Sequence, residues 1–259
     1  MKLMGDDAGF FGVAPPETRA VDPLELYAAG IDTSDYVGRV APRLRAAVPQ
    51  IGDLLDIGAG GGQLGRAVRD PQATWTAIEP AAGMQRRLHS LIPPPYVLPL
   101  GWQQADLPPG CADTVLAANI AAPLTEAQAF LRQCRVWSRG SIVWVVPAQH
   151  GPRGLCLAGC LPRAWHGEDE TPGVDLVRRS LTAQDQPAIV AQANWTFSAV
   201  VPDPERTAAF LADRLGWASG DARRSDLRAH LAAQAEPVPG GHRLSVPRTS
   251  ALLVWRKAS

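Results

Sequence analysis

The chemistry-bearing part of the chain begins at Asp56. The stretch DLLDIGAGGGQLGRAV (53–68) sets a carboxylate at the end of an apolar run, then follows it with Gly58, Gly60, Gly61, Gly62 and Gly65. Glycines this closely spaced let the backbone approach a ligand without side-chain interference. Two patterns overlap in the stretch. Gly60, Gly62 and Gly65 form G-x-G-x-x-G, the spacing of a dinucleotide loop. Asp56, Gly58, Gly60 and Gly62 form D-x-G-x-G-x-G. Charge separates the two readings, because an acid at the strand end repels a pyrophosphate and suits a ligand carrying cations.

S-adenosylmethionine is such a ligand, with an α-ammonium, a sulfonium and no phosphate. Three further features point the same way. Glu79 ends a second apolar run (TAIEP), Asp106 lies in WQQADLP, and Asn119 lies in DTVLAANIAAPL (113–124). On these motifs, over roughly residues 36–147, the sequence resembles the class I S-adenosylmethionine-dependent methyltransferases.

The resemblance implies an α/β, three-layer Rossmann-like fold. Its sheet would be mostly parallel and seven-stranded with an antiparallel edge, and helices would cover both faces. It also implies that Asp56, Gly58, Ala59, Gly60 and Gly62 meet the methionine end of the cofactor, and that Glu79 accepts from the ribose hydroxyls. Asp106 would take the adenine amino group and the Leu107 N–H would meet the ring. Pro80, Met84 and Leu107 are read either as apolar contacts to adenine or as ordinary packing. Tyr36, and Tyr27 before it, stand where the family often places an aromatic near the methionine carboxylate. A half-buried helix aromatic is the competing reading for both.

These residues need a scaffold to converge. Apolar runs at 53–57, 75–79, 96–102, 113–120 and 141–147 alternate with helical patterns, which predicts a parallel sheet with helices on both faces. Ligands of such sheets lie at the carboxyl ends of the strands, where strand order reverses. Two helices are expected before the first strand, near 22–30 and 33–48. A long strand at 188–201, helices at 203–215 and 220–235, and a final hairpin-like piece ending in SALLVWRK (250–257) complete the pattern. The expected organisation is one domain, 1–259, with an N-terminal helical cap (1–50) and an inserted lid-like segment (148–172).

That segment gathers His150, Arg153, Cys156, Cys160, Arg163, His166, Glu168 and Asp169. It is read as an acceptor-binding lid, with His166 and His150 as candidate bases and Asn119 orienting the acceptor. A plain surface loop is the alternative. The C-x₃-C spacing falls short of zinc modules, so no metal is expected.

Composition narrows the partners. Twenty-five basic residues balance 25 acidic ones, and the formal net charge is zero. A nucleic-acid partner is therefore not expected, since such partners call for a basic surface. No stretch reaches the roughly 18–20 apolar residues of a membrane span. With four cysteines and no apolar leader, the chain reads as cytoplasmic, with free thiols. The expected activity is methyl transfer to a small-molecule acceptor by in-line displacement at the sulfonium, leaving S-adenosyl-L-homocysteine. A monomer or homodimer is expected. The N-P-P-[YF] signature of amino-group methylation is absent, and Asn119-Ile120-Ala121-Ala122-Pro123 stands in its place. An NAD(P)-dependent oxidoreductase, a non-catalytic cofactor-binding domain, and an RNA or protein methyltransferase remain alternatives.

Overall fold

A computed structural model describes residues 22–120, 122–151, 159–167 and 169–257. At its centre β1 (Leu54–Ile57), buried at all four positions, pairs in parallel with β2 (Trp75–Ile78) and β4 (Ala112–Ala118). β3 (Tyr96–Leu98) joins β2 and β5 (Ser138–Pro147) joins β4, again in parallel. Beyond β5 the direction reverses. β8 (Gly241–Arg256) runs antiparallel to β5, and β6 (Ile189–Val201) runs antiparallel to β8. The order is β3-β2-β1-β4-β5-β8-β6. The expected seven strands are joined by an eighth, β7 (Glu236–Val238), which folds back on β8 across Pro239-Gly240-Gly241.

Side chains alternate across a strand, so each strand feeds two cores. Leu54, Ala77, Leu116 and Val143 face one way, beneath α1 (Pro23–Thr33), α2 (Tyr36–Ala47), α3 (Gln63–Val68) and Leu88 of α4 (Ala82–His89). Leu55, Ile57, Val115 and Trp144 face α5 (Ala127–Trp137). The buried stripe of α5 is Ala127, Phe130, Leu131, Cys134 and Trp137, an i, i+3, i+4, i+7 pattern. Phe130 meets Trp102 and Trp144 edge-on at 5.1 and 4.7 Å, which fixes the β3–β4 connection against this layer. α6 (Arg163–His166) and α7 (Gly173–Ser180) follow β5, and α8 (Pro204–Arg214) packs on α9 (Arg223–Gln234) between β6 and β7.

β6 is a 13-residue edge strand, and an unpaired edge invites aggregation. The junction of α1 and α2 blunts it. The Thr196 N–H donates to the Asp35 carboxylate at 2.7 Å, the Thr33 hydroxyl donates to the Ser198 carbonyl, and Tyr27 stacks on Phe197 at 6.1 Å. The N-terminal helices are thus anchored to the sheet edge. Replacing Asp35 with Ala should cost about 1 kcal/mol, read as a lower urea midpoint at unchanged slope. Asp35→Asn should recover part of that loss.

Candidate functional site

At the carboxyl end of β1 the chain turns sharply. Gly58, Gly60 and Gly62 adopt φ of 61°, 56° and 79°, values that glycine takes without strain. The Gly58 N–H still donates to the β2 carbonyl of Ile78 at 2.7 Å, so the loop leaves the sheet only after this bond. Gly60 then reaches Glu79, whose Oε2 accepts the Gly60 N–H and whose Oε1 accepts the Ala81 N–H, both at 2.8 Å. Gln85 of α4 donates to the Glu79 carbonyl at 2.8 Å. One buried carboxylate therefore ties together the turns that follow β1 and β2. A Cβ on Gly60 would meet nothing within 4 Å, which leaves open space beside this carboxylate for a ligand.

Asp56 is placed differently from the sequence expectation. Its neighbours Leu55 and Ile57 face α5, so alternation turns Asp56 toward α3. There it is buried, and a Cβ on Gly65 would collide with its Oδ2 and stand 2.8 Å from the Trp75 ring. Gly65, the last glycine of the motif, thus makes room for a carboxyl and an indole under the first turn of α3. Burial pushes the Asp56 carboxyl up to about 7, the Trp75 N–H works against that rise, and the Glu79 charge adds to it.

The remaining expected residues are distributed as follows. Ala59 is half-buried and also donates its N–H to Ile78, at 3.2 Å. Met84 is buried in α4, whereas Pro80 is exposed. Asp106 is exposed and Leu107 packs on the α5-side core. Asn119, just past β4, takes a left-handed φ of 57°, tolerated by asparagine better than by most residues. Its N–H donates to the Val145 carbonyl at 3.0 Å. The turn lays Ile120 on the glycine loop, where it would collide with a Cβ on Gly58. Neither Ile120 nor Trp75 stood out in the sequence, where both read as ordinary apolar residues.

Three further expected features have the following surroundings. Tyr36 is buried and meets Trp195 of β6 edge-on at 4.7 Å, so it belongs to the core rather than to a ligand surface. His166 is also buried, with Nε2 3.3 Å from Glu170 Oε1. The described part of the 148–172 segment packs against the helices that follow β6. Trp165 lies between Trp217 and His230, and His230 Nε2 sits 2.7 Å from the Cys160 carbonyl. His150 is exposed, while Arg153, Cys156 and Glu168 lie outside the described residues, as do 1–21 of the expected cap.

The described part of the cap, α1, reaches over this end of the sheet. Asp32 pairs with Arg87 of α4 and accepts from Gln63 of α3 at 2.8 Å, and Glu25 approaches Gly83 at the start of α4. Arg87 in turn stands against Gly61. Among the described residues no cluster of three metal-ligating side chains occurs, and no helix is long and apolar enough to cross a membrane.

A parallel sheet interrupted by one antiparallel strand next to the edge, with its ligand loop after β1, is the fold of the class I S-adenosylmethionine-dependent methyltransferases. The dinucleotide-binding order lacks the inserted strand. Three solved structures share the architecture. An inferred type II methyltransferase from Anaeromyxobacter dehalogenans is 16% identical with a TM-score of 0.53, covering 84% of this chain and 93% of that one. The YcgJ protein of Bacillus subtilis is 14% identical with a TM-score of 0.50, covering 85% and 98%. An inferred methyltransferase from Bacillus halodurans C-125 is 12% identical with a TM-score of 0.50, covering 85% and 99%. At these identities the likeness is one of fold. No protein-family model matches the chain, and no curated protein matches its sequence.

The buried acid makes stability depend on pH. Between the ordinary value of 3.8 and about 7, the folded chain keeps a proton on Asp56 that the unfolded chain releases. This stabilising contribution is complete at the acid end and lost as pH rises through about 7. Asp56→Asn, which has no charge to bury, should therefore melt above the parent protein at pH 8, by about 5 °C or more. The gap should narrow as pH falls below 7 and close only near pH 3.8.

Proposed function

We propose that the protein transfers a methyl group from S-adenosylmethionine to a small-molecule acceptor, leaving S-adenosyl-L-homocysteine. The observation that carries this reading is the Gly60–Glu79 junction, an acid beside an open, left-handed glycine turn at the carboxyl ends of β1 and β2. Both Glu79 oxygens keep a lone pair beyond their backbone bonds, enough to accept from two ribose hydroxyls. The glycine turn lets the methionine arm lie along the backbone. The acids at Asp56 and Glu79 favour its positive charge, and Asp106 is exposed where an adenine amino group can donate to it.

When bound, the cofactor supplies a methyl group already activated by its sulfonium. The chain's own part is alignment and exclusion of water. Asn119 and Ile120 are the side chains at the mouth of β4 suited to that task, and the strained turn at Asn119 fixes their direction. No base is assigned, because His166 is engaged with Glu170. A small acceptor is favoured over nucleic acid by the zero net charge. A cytoplasmic location and a monomeric or homodimeric state belong to the same reading, with the free thiols of Cys111 and Cys134 supporting the first.

Calorimetric titration tests the cofactor. S-adenosyl-L-homocysteine should bind and NADH should not. Asp106→Ala should weaken S-adenosyl-L-homocysteine about tenfold, or roughly 1.4 kcal/mol, with an unchanged melting temperature. Unchanged affinity would remove Asp106 from the site, and binding of NADH alone would replace the reading with the oxidoreductase one. Transfer of a labelled methyl group into small molecules of a deproteinised extract tests the acceptor class.

A further inference from the structure

The alternation of backbone bonds along β8 tells which groups of the edge strand β6 are left open. β8 lies between β5 and β6, antiparallel to both, so its residues bond to the two neighbours in turn. On the β5 side the Thr249 carbonyl accepts the Ala148 N–H at 2.8 Å, and the Lys257 N–H reaches the Gly140 carbonyl at 2.7 Å. Odd-numbered residues of β8 therefore bond to β5, and even-numbered ones bond to β6. In the β6–β8 register Ala191 lies opposite Leu252, Ala193 opposite Ser250 and Trp195 opposite Arg248. Odd-numbered residues of β6 thus engage β8, and Val190, Gln192, Asn194 and Thr196 turn their backbone groups outward.

Both ends of this outward row are closed within the chain. At one end the Thr196 N–H donates to Asp35, whose charge is neutralised by Arg39 at 2.9 Å. At the other end the Ala188 N–H turns inward, to the Val254 carbonyl at 2.9 Å. Between them, the outward N–H and C=O groups of Val190, Gln192 and Asn194 meet no partner among the described residues. The side chains of all three are exposed, that of Val190 in a residue 43% accessible. From Ala188 to Val201 the strand carries no charged residue and no proline, two of the devices that keep open edges apart.

We propose that this edge is the seam of a homodimer, in which β6 of one copy pairs antiparallel with β6 of a second about a two-fold axis through Gln192. The three outward residues fix the register. With Gln192 opposite itself, Val190 of each copy faces Asn194 of the other, and every open backbone group finds a partner. A shift of two residues either way sets one of the three against Ala188 or Thr196, whose N–H is already engaged. The two eight-stranded sheets become one continuous sheet, with both copies of α2 on the same face.

Charge identifies the occupant as a second copy. Opposing a segment to itself brings like charges together, and this segment has none to bring. The chain as a whole carries 25 basic and 25 acidic residues, so two copies approach without net repulsion. The seam is small beside the ~800 Å² per partner of standard interfaces, so the dimer is a reversible one, half-formed at about 10–100 μM.

Sedimentation equilibrium of the full chain, from about 1 to about 200 μM, tests the seam. The mean mass should rise with concentration from 27.6 kDa toward twice that value. Gln192→Pro removes the N–H on the axis and leaves the bonds to β8 in place. It should hold the chain at 27.6 kDa across the range, with a melting temperature in dilute solution close to that of the parent. Gln192→Lys and Gln192→Glu each set like charges on the axis and should loosen the dimer about threefold. An equimolar mixture of those two variants should recover the lost affinity, because opposite charges then meet across the seam. A parent chain that stays at 27.6 kDa throughout would overturn the proposal. So would a dimer that Gln192→Pro leaves intact, or a mixture that associates no better than either charged variant alone, since the copies would then meet through another surface.

Discussion

The site depends on one carboxylate. Glu79 spends both oxygens on backbone N–H groups, one from the glycine turn after β1 and one from the turn that opens α4. Charge-assisted bonds to buried backbone are among the stronger interactions a chain can make, and they fix geometry as well as energy. Glu79 adds to the tie already made by the Gly58 and Ala59 N–H groups, which donate to the Ile78 carbonyl. With it, the open backbone of Gly60, the wedge at Gly65 and the start of α4 become one rigid rim. α1 then fastens to that rim through Asp32, Gln63 and Arg87.

The same rim explains why Asp56 is hidden. A strand's side chains alternate, and β1 devotes Leu55 and Ile57 to the α5 core. Asp56 must then face α3, where only a glycine at position 65 leaves room for it. The last glycine of the G-x-G-x-x-G pattern thus serves helix-to-strand packing, while the earlier ones serve the turn. A carboxyl that the charge argument placed beside a ligand is set one layer below the surface. Its influence on a ligand is electrostatic, through a shared low-dielectric environment with Glu79.

Away from the cleft, the segment after β5 folds against the α8–α9 pair. The described residues that follow β5 pack through Cys160 and Trp165 onto Trp217 and His230 of the α8–α9 hairpin. His166 is consumed by this layer through its contact with Glu170. A cluster of histidines, cysteines and charges in sequence therefore does not amount to a cluster in space. Chain proximity brings such residues within reach, but packing decides which way each one turns.

By itself, the sequence determined the parallel half of the sheet, the glycine turn and the acids at the ends of β1 and β2. Those follow from short-range causes: apolar periodicity, the conformations open to glycine, and the charge a loop tolerates. The antiparallel placement of β8 was suggested by two long terminal strands and the β7–β8 hairpin by a hairpin-like chain end, though β7 was not counted as an eighth strand, since three residues carry too little pattern. Only the tertiary structure decided the fates of Tyr36, His166 and Asp56. Each is a polar or amphipathic side chain whose role depends on what lies opposite it. For Tyr36 that is Trp195 of β6, and for His166 it is Glu170. For Asp56 it is the space above Gly65, and no periodicity along the chain encodes what another element places there.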